Sequence, residues 1–131
     1  MEIGIVPNPR QWEHWEQAAT WLEPARATGD FDTLLEPHEL LWAVMDEGEC
    51  IAAATTWLGE GFAEVKLVGG RDHARWITEL DRMIGAAAHE AGAKWLQAMG
   101  RRGWTKVLRA QGWEVMIEDK ETAVYRRMLE G

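Results

Sequence analysis

Cysteine, tyrosine, phenylalanine and proline are all scarce in this chain of 131 residues, which carries 1, 1, 2 and 4 of them. The lone Cys50 excludes a disulfide framework and any multi-cysteine metal site. No apolar run approaches the roughly 20 residues that a bilayer-spanning helix needs. Met1-Glu2-Ile3-Gly4 lacks the basic start of a secretion signal. Positive charge is short as well, with 14 Lys and Arg against 22 Asp and Glu and a net charge of −8, which argues against broad nucleic-acid binding. These absences leave one expectation: a single domain over residues 1–131, large enough to bury a core, with no membrane segment, in a reduced, cytoplasmic compartment.

Tryptophan is what the chain has in excess. Its 9 indoles, Trp12, Trp15, Trp21, Trp42, Trp57, Trp76, Trp95, Trp104 and Trp113, are spread along the sequence. A stacking platform for single-stranded nucleic acid would pair aromatics with a basic groove, so most of them read as core fillers. Charge is unevenly placed too. Residues 1–65 hold 2 basic residues, Arg10 and Arg26, against 13 acidic ones, while residues 66–131 hold 12 basic against 9 acidic. This asymmetry reads either as a small-anion site on the second half or as clustering of surface charge. The histidines, His14, His38, His73 and His89, show no ligand spacing, so no metal site is expected. Cys50 has no basic neighbour in sequence to activate it and reads as structural.

The hydrophobic period changes along the chain. Glu2–Val6 alternates as a strand and stops at Pro7-Asn8-Pro9. Asn8 and Pro9 have the residue types of a helix start, and Trp12, Trp15, Ala19 and Leu22 keep helical spacing to about Ala27. Gly29-Asp30 breaks that helix, and Asp32–Glu36 is expected to form a short second one. Leu41–Met45 and Ile51–Leu58 are apolar runs joined by Asp46-Glu47-Gly48-Glu49, a hairpin connection. After Gly59-Glu60-Gly61 comes Phe62–Val68, with Ala63, Val65 and Leu67 expected on one face and Glu64 and Lys66 on the other. Gly69-Gly70 ends this strand, and Asp72 is expected to cap a long helix with a buried stripe of Ile77, Leu80, Ile84, Ala87, Ala88 and Ala91, stopped by Gly92. Lys94–Met99 reads as a strand, Gly100–Gly103 as a turn and Thr105–Gln111 as a short helix ended by Gly112. Val115–Glu118 and Thr122–Met128 close the chain as a hairpin around Asp119-Lys120-Glu121.

This order resembles the GNAT superfamily of acyl-CoA-dependent N-acyltransferases, over nearly the whole chain and most strongly over Phe62–Leu129. The resemblance implies an α/β (α+β) fold with a mixed, mostly antiparallel sheet of six to seven strands flanked by about four helices. It also implies acyl transfer from acetyl-CoA to an amine. The family's cofactor motif, Arg/Gln-x-x-Gly-x-Gly/Ala, falls here on Arg71-Asp72-His73-Ala74-Arg75-Trp76. Its physics is that of backbone N–H groups cradling a pyrophosphate at a helix start. Arg71 matches, Ala74 departs mildly, and Trp76 stands where a small residue belongs. Arg101, Trp104 and Leu108 occupy the places of the family's Asn, Ala and general-acid Tyr, and Leu108 carries no proton to donate.

The site expected from the resemblance is therefore specific. Glu64 is the general base, working through water, or else one residue of a solvated strand face. Backbone amides of Val65, Lys66, Leu67 and Val68 hold the acyl carbonyl and pantetheine arm. Arg71, Asp72, His73, Ala74 and Arg75 take the phosphates, with Arg71 and Arg75 on the first turn of the long helix and Arg101 beside the cleft. Tyr125 either serves as an acid from the last strand or packs on the sheet. The Arg101-Arg102-Gly103-Trp104 turn and the missing acid also resemble degenerate GNAT-like proteins of tailed bacteriophages and prophages. That likeness implies the alternative of a non-catalytic binding protein, such as a virion component with a protein partner and a virion location. The acceptor amine is not named by any of these residues.

Overall fold

The computed structural model describes residues 1–129. Strand β1 (Glu2–Ile5) is followed by helix α1 (Trp15–Thr28), then strands β2 (Leu40–Asp46), β3 (Glu49–Leu58) and β4 (Phe62–Gly70). Helix α2 (Ile77–Glu90), strand β5 (Trp95–Arg101), helix α3 (Thr105–Ala110) and strands β6 (Glu114–Glu118) and β7 (Thr122–Met128) complete the order. The seven strands form one sheet in the order β1-β2-β3-β4-β5-β7-β6. Every pairing is antiparallel except β4 with β5. The parallel pair needs a crossover, and α2 supplies it.

The sheet separates two cores. On one face α1 packs on β3 and β4, burying Ala18 and Leu22 against Leu41, Ala43, Ala53 and Leu67. On the other face Trp76, just ahead of α2, and Leu80, Ile84 and Ala88 of α2 cluster with Trp42, Val44, Ala52 and Ala54. Ala52, Ala53 and Ala54 are fully buried because β3 runs between helices on both faces, where larger side chains would hold those helices off. Gly69 has the same function on β4, since a Cβ there would overlap the carbonyl oxygen of Trp21. Seven of the tryptophans pack into or against these cores. Trp57 and Trp95 belong to neither.

Four local expectations are corrected by the structure. Asp32–Glu36 is not helical. Thr33 Oγ1 donates to Glu36 Oε1 at 2.9 Å, and Glu39 Oε1 accepts the Glu36 N–H at 2.7 Å. Five residues ahead of Pro37 are too few to repay helix nucleation against such side-chain bonds. At the chain start, Asn8 is left-handed (φ 47°) without a capping side-chain bond, and Pro9–Gln11 is a single 3₁₀ turn, so α1 begins only at Trp15.

The third correction concerns the β4–α2 loop. Asp72 is left-handed (φ 54°), makes no capping bond, and precedes a 3₁₀ turn at His73–Arg75. Trp76 turns inward, only 1% exposed, and its Nε1 donates to the Arg71 carbonyl at 2.7 Å. Burying that ring closes the loop and delays α2 to Ile77, so Arg71 and Arg75 lie ahead of the helix and not on its first turn. Gly92 does stop α2's chain run, in the left-handed region at φ 97°. The fourth correction is a face. Lys66 is an extra residue opposite the Thr55–Thr56 step, so alternation slips after Val65 and Leu67 points into the α1-side core.

Candidate functional site

That same slip creates the main concavity. β4 and β5 are in register only from Phe62↔Trp95 to Val65↔Ala98. Beyond the bulge at Lys66, β4 stays with β3 as far as Gly70↔Ala52, while β5 follows β7 to Arg101↔Thr122. A bulge adds bend and twist to its strand, which carries β4 away from its parallel neighbour. The strands part into a cleft of about 390 Å³ that passes through the sheet. Trp21, Ala25 and Thr28 of α1 line one side, Ile77, Leu80 and Leu108 the other, and Val65, Val68, Ala98 and Tyr125 the floor. No strand among the described residues pairs with the inner edge of β4 past Val65, so its backbone groups face the cleft.

The residues singled out from sequence fall in three places. Val65, Lys66, Val68 and Arg101 line the cleft. Leu67 does not, being 1% exposed on the α1 side. Arg71, Asp72, His73, Ala74 and Arg75 are exposed in the β4–α2 loop, outside the lining. Arg71 pairs with Glu49 at 3.0 Å and Arg75 with Asp46 at 3.1 Å, both carboxylates of the β2–β3 hairpin. His73 reaches the rim, its ring edge-on to Trp104 at 5.4 Å.

Two cations touch the cleft. Lys66 is nearly buried, with its Nζ 2.8 Å from Glu39 Oε1 and over the Phe31 ring at 5.1 Å. Arg101 donates to Thr28 Oγ1 at 2.9 Å and, among the described residues, has no carboxylate partner. It therefore spans from β5 to the end of α1 with its charge unspent.

Glu64 sits beside the split, where β4 and β5 are still paired, and both its oxygens are engaged. Trp57 Nε1 donates to Oε2 at 2.8 Å and Gln97 Nε2 to Oε1 at 3.4 Å. Sequence reasoning missed Trp57, Gln97 and Glu39, because only strand register and the path of the 31–39 segment bring them to Glu64 and Lys66. Tyr125 is 1% exposed, donates to the Arg101 carbonyl at 3.0 Å, and shares a 2.8 Å bond with Thr105 Oγ1. It packs on the sheet and lines the cleft at once. No group of three or more His, Cys, Asp or Glu gathers among the described residues as a metal site, and no described helix is long and apolar enough to cross a membrane.

No family model and no curated protein sequence matches the chain. Solved structures do. An aminoglycoside 6'-N-acetyltransferase complexed with coenzyme A superposes with a TM-score of 0.79 at 11% identity, covering 100% of this chain and 98% of that one. The aminoglycoside 6'-N-acetyltransferase from Enterococcus faecium gives 0.72 at 11% identity, with 100% and 98% covered. An IAA acetyltransferase from Bacillus cereus gives 0.65 at 11% identity, with 98% and 99% covered. This chain has the GNAT fold. In this chain the single parallel pair and its split lie in the middle of the sheet, and the cleft described above occupies that place.

Proposed function

We propose that this chain binds an acyl-CoA, such as acetyl-CoA, in the β4–β5 cleft and transfers the acyl group to an amine. The observation that carries the reading is the split of the parallel pair at the Lys66 bulge, which leaves an unpaired strand edge along an apolar cleft. It stands in a fold shared with N-acetyltransferases, one of them complexed with coenzyme A.

The residues fit such a molecule. The free inner edge of β4, from Val65 to Val68, offers backbone groups to the amides of a pantetheine arm, as an added strand would use them. Trp76, the large residue in the phosphate motif, is folded into the core and leaves the cleft clear. Arg101 is the first phosphate contact, its guanidinium without a carboxylate among the described residues. Arg71 and Arg75 take part by exchanging Glu49 and Asp46 for phosphate. Both pairs are half-exposed, and pairs of that kind contribute only about 0–1 kcal/mol, so the exchange costs little. Charge-assisted bonds to phosphate outweigh them.

Acyl-CoA, when bound, supplies an activated acyl carbon. Glu64 receives the proton of the attacking amine through water, and Trp57 and Gln97 hold its carboxylate in place. Tyr125, on the cleft floor, is the hydroxyl that stands in for the absent acid at Leu108. Calorimetry with acetyl-CoA tests the reading. Arg101→Ala should weaken binding about tenfold, in line with the loss of one charge-assisted contact, and Arg71→Ala should weaken it less. Absence of binding to the wild type at millimolar acetyl-CoA would remove the proposal.

Two observations favour a second reading, a non-catalytic binding protein of the kind found as a virion component. Leu108 removes the family's acid, and both motif arginines are already satisfied by carboxylates. Purified protein that carries no coenzyme A by mass spectrometry and takes up no acetyl-CoA in calorimetry would favour this second reading.

A further inference from the structure

Register places a row of polar side chains across the sheet, on the face that α1 leaves uncovered. Glu64 on β4 is opposite Gln97 on β5, and Gln97 is opposite Arg126 on β7. Beside this row, Phe62 and Trp95 are register partners and stack at 5.7 Å with their rings 12° apart. Trp57 meets Phe62 edge-on at 5.4 Å. Arg126 also lies over the Trp95 ring, 4.9 Å from its centre.

None of these aromatics belongs to either core. They are therefore not explained as filler. Two donors in the same stack are left over. Trp95 Nε1 and Arg126 Nε are buried without a hydrogen-bond partner. Among the described residues Arg126 forms no ion pair, and Glu114, its exposed register partner on β6, does not reach it. A half-buried guanidinium stacked on an indole and lacking a carboxylate is built to receive one, because arginine's planar fork matches a carboxylate in two bonds. The Cα atoms of Glu64 and Arg126 stand two strand spacings apart, about 10 Å. That separation is one a small molecule can bridge.

We propose that the acceptor is an amino acid: its ammonium faces Glu64, its carboxylate pairs with Arg126, and its apolar side chain lies against the Trp95–Phe62 stack. The proposal rests on the acyl-transfer reading for its reaction, though not for its binding site. Opposite charges two strands apart, on either side of β5, select a zwitterion over a simple amine, and the rings select an apolar side chain over a polar one.

The test uses the whole chain and two probes, L-phenylalanine and L-phenylalaninamide, which share the amine and the ring but differ in the carboxylate. The Trp95 indole N–H resonance, assigned with Trp95→Phe, reports binding without any turnover. L-phenylalanine should shift it saturably, and L-phenylalaninamide should bind at least tenfold more weakly. Arg126→Gln should abolish that difference by weakening L-phenylalanine alone. No shift at tens of millimolar L-phenylalanine, equal affinity for the two probes, or an Arg126→Gln chain that binds both as before would each overturn the proposal. Acetyl-CoA binding is measured separately. L-phenylalanine bound as expected with acetyl-CoA refused would sink the acyl-transfer reading and leave the zwitterion site standing. The reverse result would sink the acceptor alone.

Discussion

Glu64 is oriented before any ligand arrives, since Trp57 and Gln97 hold one carboxylate oxygen each. A side chain fixed this way keeps its position when its proton chemistry is removed. If Glu64 is the base in the proposed acyl transfer, Glu64→Gln should lower kcat by about 10²-fold or more. Acetyl-CoA affinity, read by calorimetry, should stay unchanged. Cys50 presents the opposite case. Burial pushes its thiol above the ordinary cysteine value, and its S–H donates to the Ala52 carbonyl at 3.3 Å. A thiol held protonated and covered is a poor nucleophile. Native protein at pH 8 should resist iodoacetamide, while protein unfolded in urea should be alkylated once, as mass spectrometry would show.

At the scale of elements, hydrophobic period and turn residues carry most of the fold, and they are local signals. The hairpin at Asp46–Glu49, the stop at Gly92 and the strand–helix–strand run from Phe62 to Met99 are all written in short stretches. What the sequence does not display is set by partners far along the chain. The Lys66 bulge depends on how β3 and β4 register, and it alone moves Leu67 to the other core and opens the cleft. The pairing of Arg71 and Arg75 with the β2–β3 hairpin, and the row from Glu64 through Gln97 to Arg126, likewise exist only once strands are placed side by side. Asp32–Glu36 fails as a helix for a local reason, side-chain bonds that compete with the backbone. The β6–β7 turn offers an element-scale test. The Thr122 and Glu121 amides, in that order, donate to Asp119 and hold its carboxyl below the ordinary aspartate value. With the folded value depressed, the turn's contribution is present above the ordinary value and fades as pH falls through the lower one. Hydrogen exchange at Glu121 and Thr122, corrected for intrinsic rate, should quicken below about pH 4. Asp119→Ala should exchange fast at every pH.

Across the whole molecule, the charge asymmetry of the sequence resolves into contacts between its two halves. Asp46 and Glu49 meet Arg75 and Arg71 on the surface, and Glu39 meets Lys66 inside. Three of the second half's 12 basic residues are thus answered by the first, and Arg101 is left at the cleft without a carboxylate among the described residues. The two parts of the sheet, β1–β4 and β5–β7, are joined by the short β4–β5 register, and the α2-side core and the Arg101–Thr28 hydrogen bond also bridge them. A molecule lying in the split would contact β4 on one side and Arg101 on the other, tying the halves where the sheet is weakest. Ligand that binds only the folded chain stabilises it by mass action, about 2.7 kcal/mol at a hundred times its Kd. For a domain of this size that amounts to a rise in Tm of about 10 °C. Scanning calorimetry with saturating coenzyme A should show it, and Arg101→Ala at the same concentration should lose part of it. Dephospho-coenzyme A, one phosphate poorer, should give a smaller rise if the loop arginines join in. A chain that has kept this fold and lost the cofactor would melt at one temperature in all three solutions, because nothing would then bridge β4 to β5.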